Sequence, residues 1–318
     1  MSLTETDASA DDQAARAAWL YYVGGLTQDQ IAGEMGVSRQ RAQRLVSRAV
    51  AAGLIHVRLN HHLASCLELE QALRERFHLV RCRVVPGLGP DRDPVRAIAP
   101  AAAAEMERVL RAPDPLVIAL GTGRALRGMI EALTPIEAPQ HRLVSLIGNI
   151  APDGSASYFD VIMRLAEKVH APHYPMPVPV ISDTAEENAT FQSLGPVRKV
   201  RDLARTADVT FVGVGQMSQD APLLTDGFLK PSELGEMQQA GAVGEVAGRI
   251  FDVDGRYMEL AINDRLGGMH VPSSGPDRPV IGIAAGPSKI PAIAAALRGG
   301  IINGLISDEP TARGVLGM

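Results

Sequence analysis

The spacing of apolar residues along this chain changes character near residue 80. Before that point the spacing is helical. In 13–23 (QAARAAWLYYV), Ala15, Ala18, Trp19 and Tyr22 share one face, which predicts a helix that buries Trp19. Residues 26–53 read as two short helices around a tight turn, with Ile31, Met35, Ala42, Leu45 and Val46 on the buried side. After Gly53, LIHVRL alternates like the short wing of a winged helix. In 62–78, Leu63, Cys66, Leu69, Leu73 and Phe77 step by threes and fours into one stripe, while Glu68, Glu70, Arg74 and Arg76 decorate the other side. Such a helix can pack on its own domain or against a second copy. Residues 1–12 are polar and acidic and predict a disordered tail.

After residue 80 the pattern alternates between short apolar runs and amphipathic stretches. Strands are predicted at 80–85, 116–120, 143–147, 209–214, 280–284 and 301–306. Helices are predicted near 94–110, 124–133, 159–170, 191–206, 232–239 and 290–298. Continuous β-branched runs between helices imply a doubly wound parallel sheet buried on both faces. A length of 318 residues exceeds one compact core. The expected organisation is a tail over 1–12, a helix-turn-helix head over 13–60, a linker helix over 61–79 and an α/β domain over 80–318.

Local chemistry gives the head a role. Ala32 sits where two helices must approach closely, Gly36 where the chain must turn, and Ser38 where a hydroxyl can cap the next helix. This is a helix-turn-helix pattern, whose second helix enters the DNA major groove. Between Ser38 and Arg58 lie five arginines (Arg39, Arg41, Arg44, Arg48, Arg58) and no acid, although the whole chain carries −5. An acidic body with one basic helix suits a protein that meets DNA at one end. Arg39, Gln40, Gln43 and Arg44 are the base-reading candidates, with Ser38 beside them at the helix start. Arg48 and Arg58 are candidates for phosphate contacts. A plain amphipathic helix with a solvated basic face would show the same charge.

Composition narrows the remainder. No apolar run reaches the roughly 18–20 residues of a membrane span, and no signal peptide opens the chain. Cys66 and Cys82 lack metal spacing and read as small buried hydrophobes of a reduced, cytoplasmic protein. Neither a cofactor nor a metal is called for.

Parallel sheets bind ligands at the carboxyl ends of their strands. There Gly121-Thr122-Gly123-Arg124 runs from a strand straight into a helix, an arrangement that suits a phosphate or a cluster of hydroxyls. Steric turns use glycine too, and the GK[ST] ending of a Walker loop is missing. Gly148-Asn149, Gly213-Val214-Gly215-Gln216 and Gly286-Pro287-Ser288-Lys289 follow three other strands. Lys289 is one of four lysines against 27 arginines, and it opens a helix where it can meet a phosphate or simply face solvent. Glu245 lies in a small, apolar stretch, where it either accepts ligand hydroxyls or caps local backbone.

These residues resemble the SorC-type sugar-sensing transcriptional regulators from about Ala14 to Leu316. The matching blocks are LTQDQIAGEMGVSRQRAQRLVSRAVAAGLI, GTGRAL, AVGEVAGRIFDVDG and, most specifically, GPSKIPAIAAALRGGIINGLISDE. The resemblance implies an effector domain like ribose-5-phosphate isomerase and glucosamine-6-phosphate deaminase, turned into a sensor, usually of a phosphorylated sugar. It implies ligand contacts by Thr122 and its neighbours, Glu245 and Lys289. It also implies homo-oligomers, tetramers rather than dimers, spanning operator DNA. Arg124-Ala125 depart from the family loop, which often carries further hydroxyl residues; this arginine can add phosphate affinity or mark an unphosphorylated sugar or polyol.

The expectation is a DNA-binding regulator of carbohydrate or polyol use, controlled by an effector held through Gly121 to Arg124, Asn149, Gly215, Gln216, Glu245 and Lys289. The alternative is a sugar-phosphate isomerase or deaminase tethered to DNA. That chemistry needs an acid and a base beside the substrate. Glu245, Asp252 and Asp254 offer carboxylates, while His270 lies in a turn-like segment. A purely architectural DNA binder fits poorly with six strands and several glycine turns.

Overall fold

The computed structural model describes residues 3–55, 64–151, 153–155, 161–272 and 274–318, and the side chains from residue 10 onward. The chain divides into two units, Met1–His61 and His62–Met318.

The first unit holds α1 (Leu3–Tyr22), α2 (Gln28–Met35) and α3 (Arg39–Ala51). From Leu3 onward, the expected disordered tail is instead the first half of α1. No glycine or proline interrupts 3–22, and Asp11 is tied to Arg48 of α3 at 2.9 Å. The buried face of α1 is Ala14, Ala17 and Ala18, which lets α3 approach closely. Trp19 is therefore not core; it is 56% exposed, because the small residues rather than the ring meet α3. α2 opens with a reciprocal cap between Thr27 and Gln30 and closes at Gly36, in the left-handed region at φ 65°. Ser38 Oγ accepts the Arg41 N–H at 3.3 Å and starts α3. Arg58, Leu63 and most of the expected wing lie outside the described residues.

The second unit contains, in order, α4 (Ala64–Phe77), β1 (Arg81–Val85), α5 (Val95–Leu110), β2 (Val117–Leu120), α6 (Arg124–Ala132), β3 (Arg142–Ile150), α7 (Ile162–Val169), β4 (His173–Pro179), α8 (Ala185–Ser193), α9 (Gly195–Arg205), β5 (Val209–Gly213), β6 (Gly215–Gln216), α10 (Pro222–Thr225), α11 (Pro231–Gln239), β7 (Gly244–Val246), β8 (Arg249–Phe251), β9 (Val280–Ile283), α12 (Ile290–Arg298), β10 (Gly304–Asp308) and α13 (Glu309–Leu316). Seven strands form one parallel sheet in the order β1-β10-β9-β5-β2-β3-β4. Successive residues of β2 serve opposite cores. Val117 and Ala119 join the cluster under α4, α9 and α12, whereas Ile118 and Leu120 join the cluster under α5, α6 and α7. Chain order reverses between β2 and β5: β3 and β4 extend the sheet to one side, β9 and β10 to the other.

Four expectations change. The helix over 62–78 is no separate linker; α4 packs into the core of this unit through Cys66, Leu69 and Leu73. Glu70 is buried rather than decorative, and takes the Val84 N–H at 3.0 Å. The helix over 191–206 is two helices, broken where Leu194 turns extended ahead of Gly195-Pro196. β4 was not expected because HYPMPVP carries three prolines. It lies at the sheet's edge, where alternate N–H groups have no partner to lose. Both cysteines are buried, and burial pushes the Cys82 thiol up to about 12. Among the described residues no helix is long and apolar enough to cross a membrane.

Candidate functional site

On α3 the burial pattern separates two faces. Ala42, Leu45, Val46 and Ala49 are buried against α1 and α2, while Arg39, Gln40, Gln43, Arg44 and Arg48 are exposed. At 3.6 residues per turn, Gln40, Gln43, Arg44 and Ser47 share one stripe. Arg39 and Arg48 flank it. Arg39 lies 3.5 Å from Asp29, and Arg48 is drawn back toward Asp11. Arg44 Nε donates to the Gln40 carbonyl at 3.4 Å, which keeps its guanidinium over the stripe. Ser38 is exposed, but its hydroxyl is occupied by its capping role.

In the second unit a cavity of about 500 Å³ opens at the carboxyl ends of β2, β5 and β9, where strand order reverses. A narrower recess of about 60 Å³ shares Thr122, Gly123, Gly213, Asp226 and Glu245 with it. Gly123 and Gly286 make the two strand-to-helix turns at φ 114° and 120°, conformations open to glycine. Gly121 donates its N–H to Phe211 across the β2–β5 seam, and stands beneath the loop rather than in it. Thr122, Arg124, Gly215, Gln216, Glu245 and Lys289 all line the cavity. Asn149 does not: β3 runs on to Ile150, and Gly148 is pressed against the Val178 and Pro179 carbonyls, where a Cβ would sit 2.4 Å from either oxygen.

Glu245 does not stand at a parallel strand end. It belongs to a small antiparallel sheet of β6, β7 and β8. A tight turn through Ala247 and Gly248, both at positive φ, joins β7 to β8. Gly248 N–H donates to Glu245 Oε2 at 2.8 Å. Gly215 sits opposite Glu245, and a Cβ there would lie 2.2 Å from Glu245 Oε1. Gly215 therefore makes room for the carboxylate. Burial raises the Glu245 carboxyl above its ordinary range, against the pull of Gly248 N–H and the Lys289 charge. Burial likewise lowers the Lys289 ammonium, and Glu245 opposes that shift. Lys289 Nζ donates to the Val214 carbonyl.

The cavity's charge was not legible in sequence. Asp93, Asp220, Asp226 and Glu245 line it, against the cations Arg124 and Lys289. Arg124 is already engaged, at 2.6 Å from Asp226. The Ser218 hydroxyl holds the Asp220 carboxyl below its usual range. Gln216 is buried; its Nε2 donates to the Asp220 carbonyl at 3.3 Å, and its Oε1 has no partner. The lining carboxylates and the unmatched, buried amide oxygen of Gln216 are acceptors waiting for hydroxyl donors. Asp252, Asp254 and His270 do not line the cavity; Asp252 caps its own turn through the N–H groups of Asp254 and Arg256.

Comparison with known proteins covers the whole chain. Residues 61–317 match the profile of a sugar-binding domain, and residues 13–62 that of the MarR family. The erythritol catabolism regulatory protein EryD of Brucella abortus is 35% identical over 311 residues, 98% of each chain. The transcriptional regulator LsrR of Escherichia coli O139:H28 is 34% identical over 99% of this chain and 98% of its own. The full-length sorbitol operon regulator SorC of Klebsiella pneumoniae superposes with a TM-score of 0.72 over 95% of this chain and 97% of its own. At 24% identity that likeness speaks for the fold.

Proposed function

The chain belongs to the SorC-type family of sugar-binding transcriptional regulators, and we propose that its effector is an uncharged sugar or polyol held in the cavity at the ends of β2, β5 and β9. It is a DNA-binding regulator, not an enzyme. One observation carries the choice of effector: four carboxylates face two cations, and one of those cations is already paired with Asp226. A phosphate would enter a site with net negative lining, whereas hydroxyls would meet carboxylates and the free Gln216 oxygen as donors to acceptors. Glu245, Gln216 and Asp226 take the hydroxyls in this reading. Thr122 and the backbone at Gly123 close the site, and Lys289 supports Glu245.

On DNA, Gln40, Gln43 and Arg44 read bases, with Arg39 beside them and Arg48 at the phosphates. The protein works in the cytoplasm as a homo-oligomer, a tetramer, so that paired heads meet paired half-sites. A ligand moves such a regulator only by binding its two arrangements unequally.

A thermal-shift screen with sugars, polyols and their phosphates tests the reading. The names of two relatives make erythritol and sorbitol the first probes. A ligand at about 100 times its Kd stabilises by roughly 2.7 kcal/mol. Response confined to phosphorylated compounds would overturn the uncharged effector.

A further inference from the structure

Away from that cavity, and sharing no lining residue with it, two adjoining recesses of about 440 and 410 Å³ meet at Arg201. Arg201 and Arg249 line the first, with Asp264 as its one acid. Arg201, Arg205, His270 and Arg278 line the second, which holds no carboxylate. Arg205 is paired with Asp202 at 2.5 Å. Among the described residues, no carboxylate stands within ion-pair distance of Arg201, Arg249 or Arg278.

Neutral groups hold these guanidiniums in place. Arg201 donates to the Gln192 side-chain oxygen. Arg249 donates to the carbonyls of Asn263 at 3.4 Å and Gly268 at 2.7 Å. Such acceptors fix a guanidinium without cancelling its charge. Arg249 Nε and Asn263 Oδ1 are buried with no partner at all. Burial lowers the proton affinity of both arginines, and each has an arginine neighbour that lowers it further: Arg205 for Arg201, and Arg201 for Arg249. Asp202 for Arg201, and Glu259 and Asp264 for Arg249, offset this only from beyond ion-pair distance, so these half-buried guanidiniums keep their pull on an anion.

We propose that this recess is a second ligand site, which binds a phosphate group, free or carried on a small metabolite, through Arg201, Arg249 and Arg278. The planar forks of arginine suit tetrahedral oxyanions, and the two recesses together leave room for more than the phosphate itself. The two cavities of this unit then have opposite chemistry, one offering acceptors to hydroxyls and the other donors to an oxyanion.

Isothermal titration of the full-length protein with inorganic phosphate, at constant ionic strength, tests the site. Arg201→Gln should weaken phosphate at least about tenfold, the scale of one charge-assisted hydrogen bond. Arg278→Gln should weaken it by a smaller factor, and the polyol response should be unchanged in both. Arg278 is exposed, so that variant keeps the test alive if Arg201→Gln fails to fold. A glucose-phosphate series that follows the same order would place a metabolite there; failure of the series with success of free phosphate would narrow the site to the ion. Unchanged phosphate affinity in both variants would overturn the proposal. So would loss of phosphate binding in Lys289→Met alone, which would move the anion to the effector cavity. Dissociation of the oligomer by the arginine variants, without any phosphate effect, would assign the charges to a second copy of the chain.

Discussion

The recognition helix and the effector cavity place their functional groups in different ways. The base-reading candidates Gln40, Gln43 and Arg44 sit on one stripe of α3, with Arg39 at its flank, backed by Ala42, Leu45, Val46 and Ala49 of the same helix. The cavity draws its groups from six separate stretches, between Asp93 and Lys289. On α3 a side chain is set by its phase along a single helix. In the cavity each group meets a residue from another stretch: Glu245 the space left by Gly215, Arg124 the carboxylate of Asp226, Lys289 the Val214 carbonyl. Substitutions on the helix should therefore act singly, and substitutions in the cavity should act through their neighbours.

The largest expected effect comes from Gly215→Ala. Its Cβ would collide with Glu245 Oε1 and lie 2.9 Å from Cγ and Cδ, so the whole carboxylate must move. The expected loss is roughly 1.5–3 kcal/mol of effector binding, read by titration, with operator affinity without effector unchanged. If effector affinity held, the cavity would be less interlocked than this contrast requires. Next, Arg44→Ala should cost about 1–3 kcal/mol of operator binding and relax preference at one base position, as measured on an operator library. Uniform weakening across all sequences would make Arg44 a phosphate contact. A smaller shift, on the order of 1 kcal/mol, is expected from Asp226→Asn, which takes the carboxylate charge away from Arg124. Affinity should then move toward phosphorylated compounds; a variant with unchanged ligand preference would remove charge from the argument.

The smallest effect is the pH dependence of Glu245. Its carboxyl is raised in the folded protein, so the folded state holds that proton more tightly than the unfolded chain. Stability from that source is fully present below the unfolded value of about 4.3 and is lost as pH rises through the folded value. Glu245→Gln cannot ionise. Its melting temperature should gain on the wild type as pH rises from 4 toward neutrality, and a gap that stayed flat would show that Lys289 fully compensates the charge.

Sequence pattern revealed what periodicity controls and missed what distant segments control. The six expected strands all occur, and the turn glycine Gly36 and cap Ser38 stand where spacing put them. The last strand begins later than its apolar run, at Gly304, because Ile301 and Ile302 serve the core ahead of it. Trp19 was misjudged because size and burial parted company: α1 presents alanines to α3, and the ring faces outward. Asn149 had the right glycine before it, but Gly148 answers to the carbonyls of Val178 and Pro179, which no local pattern reveals. Asp220 and Asp226 carry no motif; they matter only because folding returns them to the cavity that Thr122 and Gly123 line.

The contact between Arg124 and Asp226 already engages one of the acceptors that line the cavity. A hydroxyl that seeks Asp226 must compete with a guanidinium 2.6 Å away, so binding exchanges one polar partner for another. Such an exchange lowers apparent affinity by the fraction of time the pair is closed. The protein would then ignore traces of its ligand and answer only when the nutrient is abundant, with the threshold set by how firmly one arginine grips one aspartate.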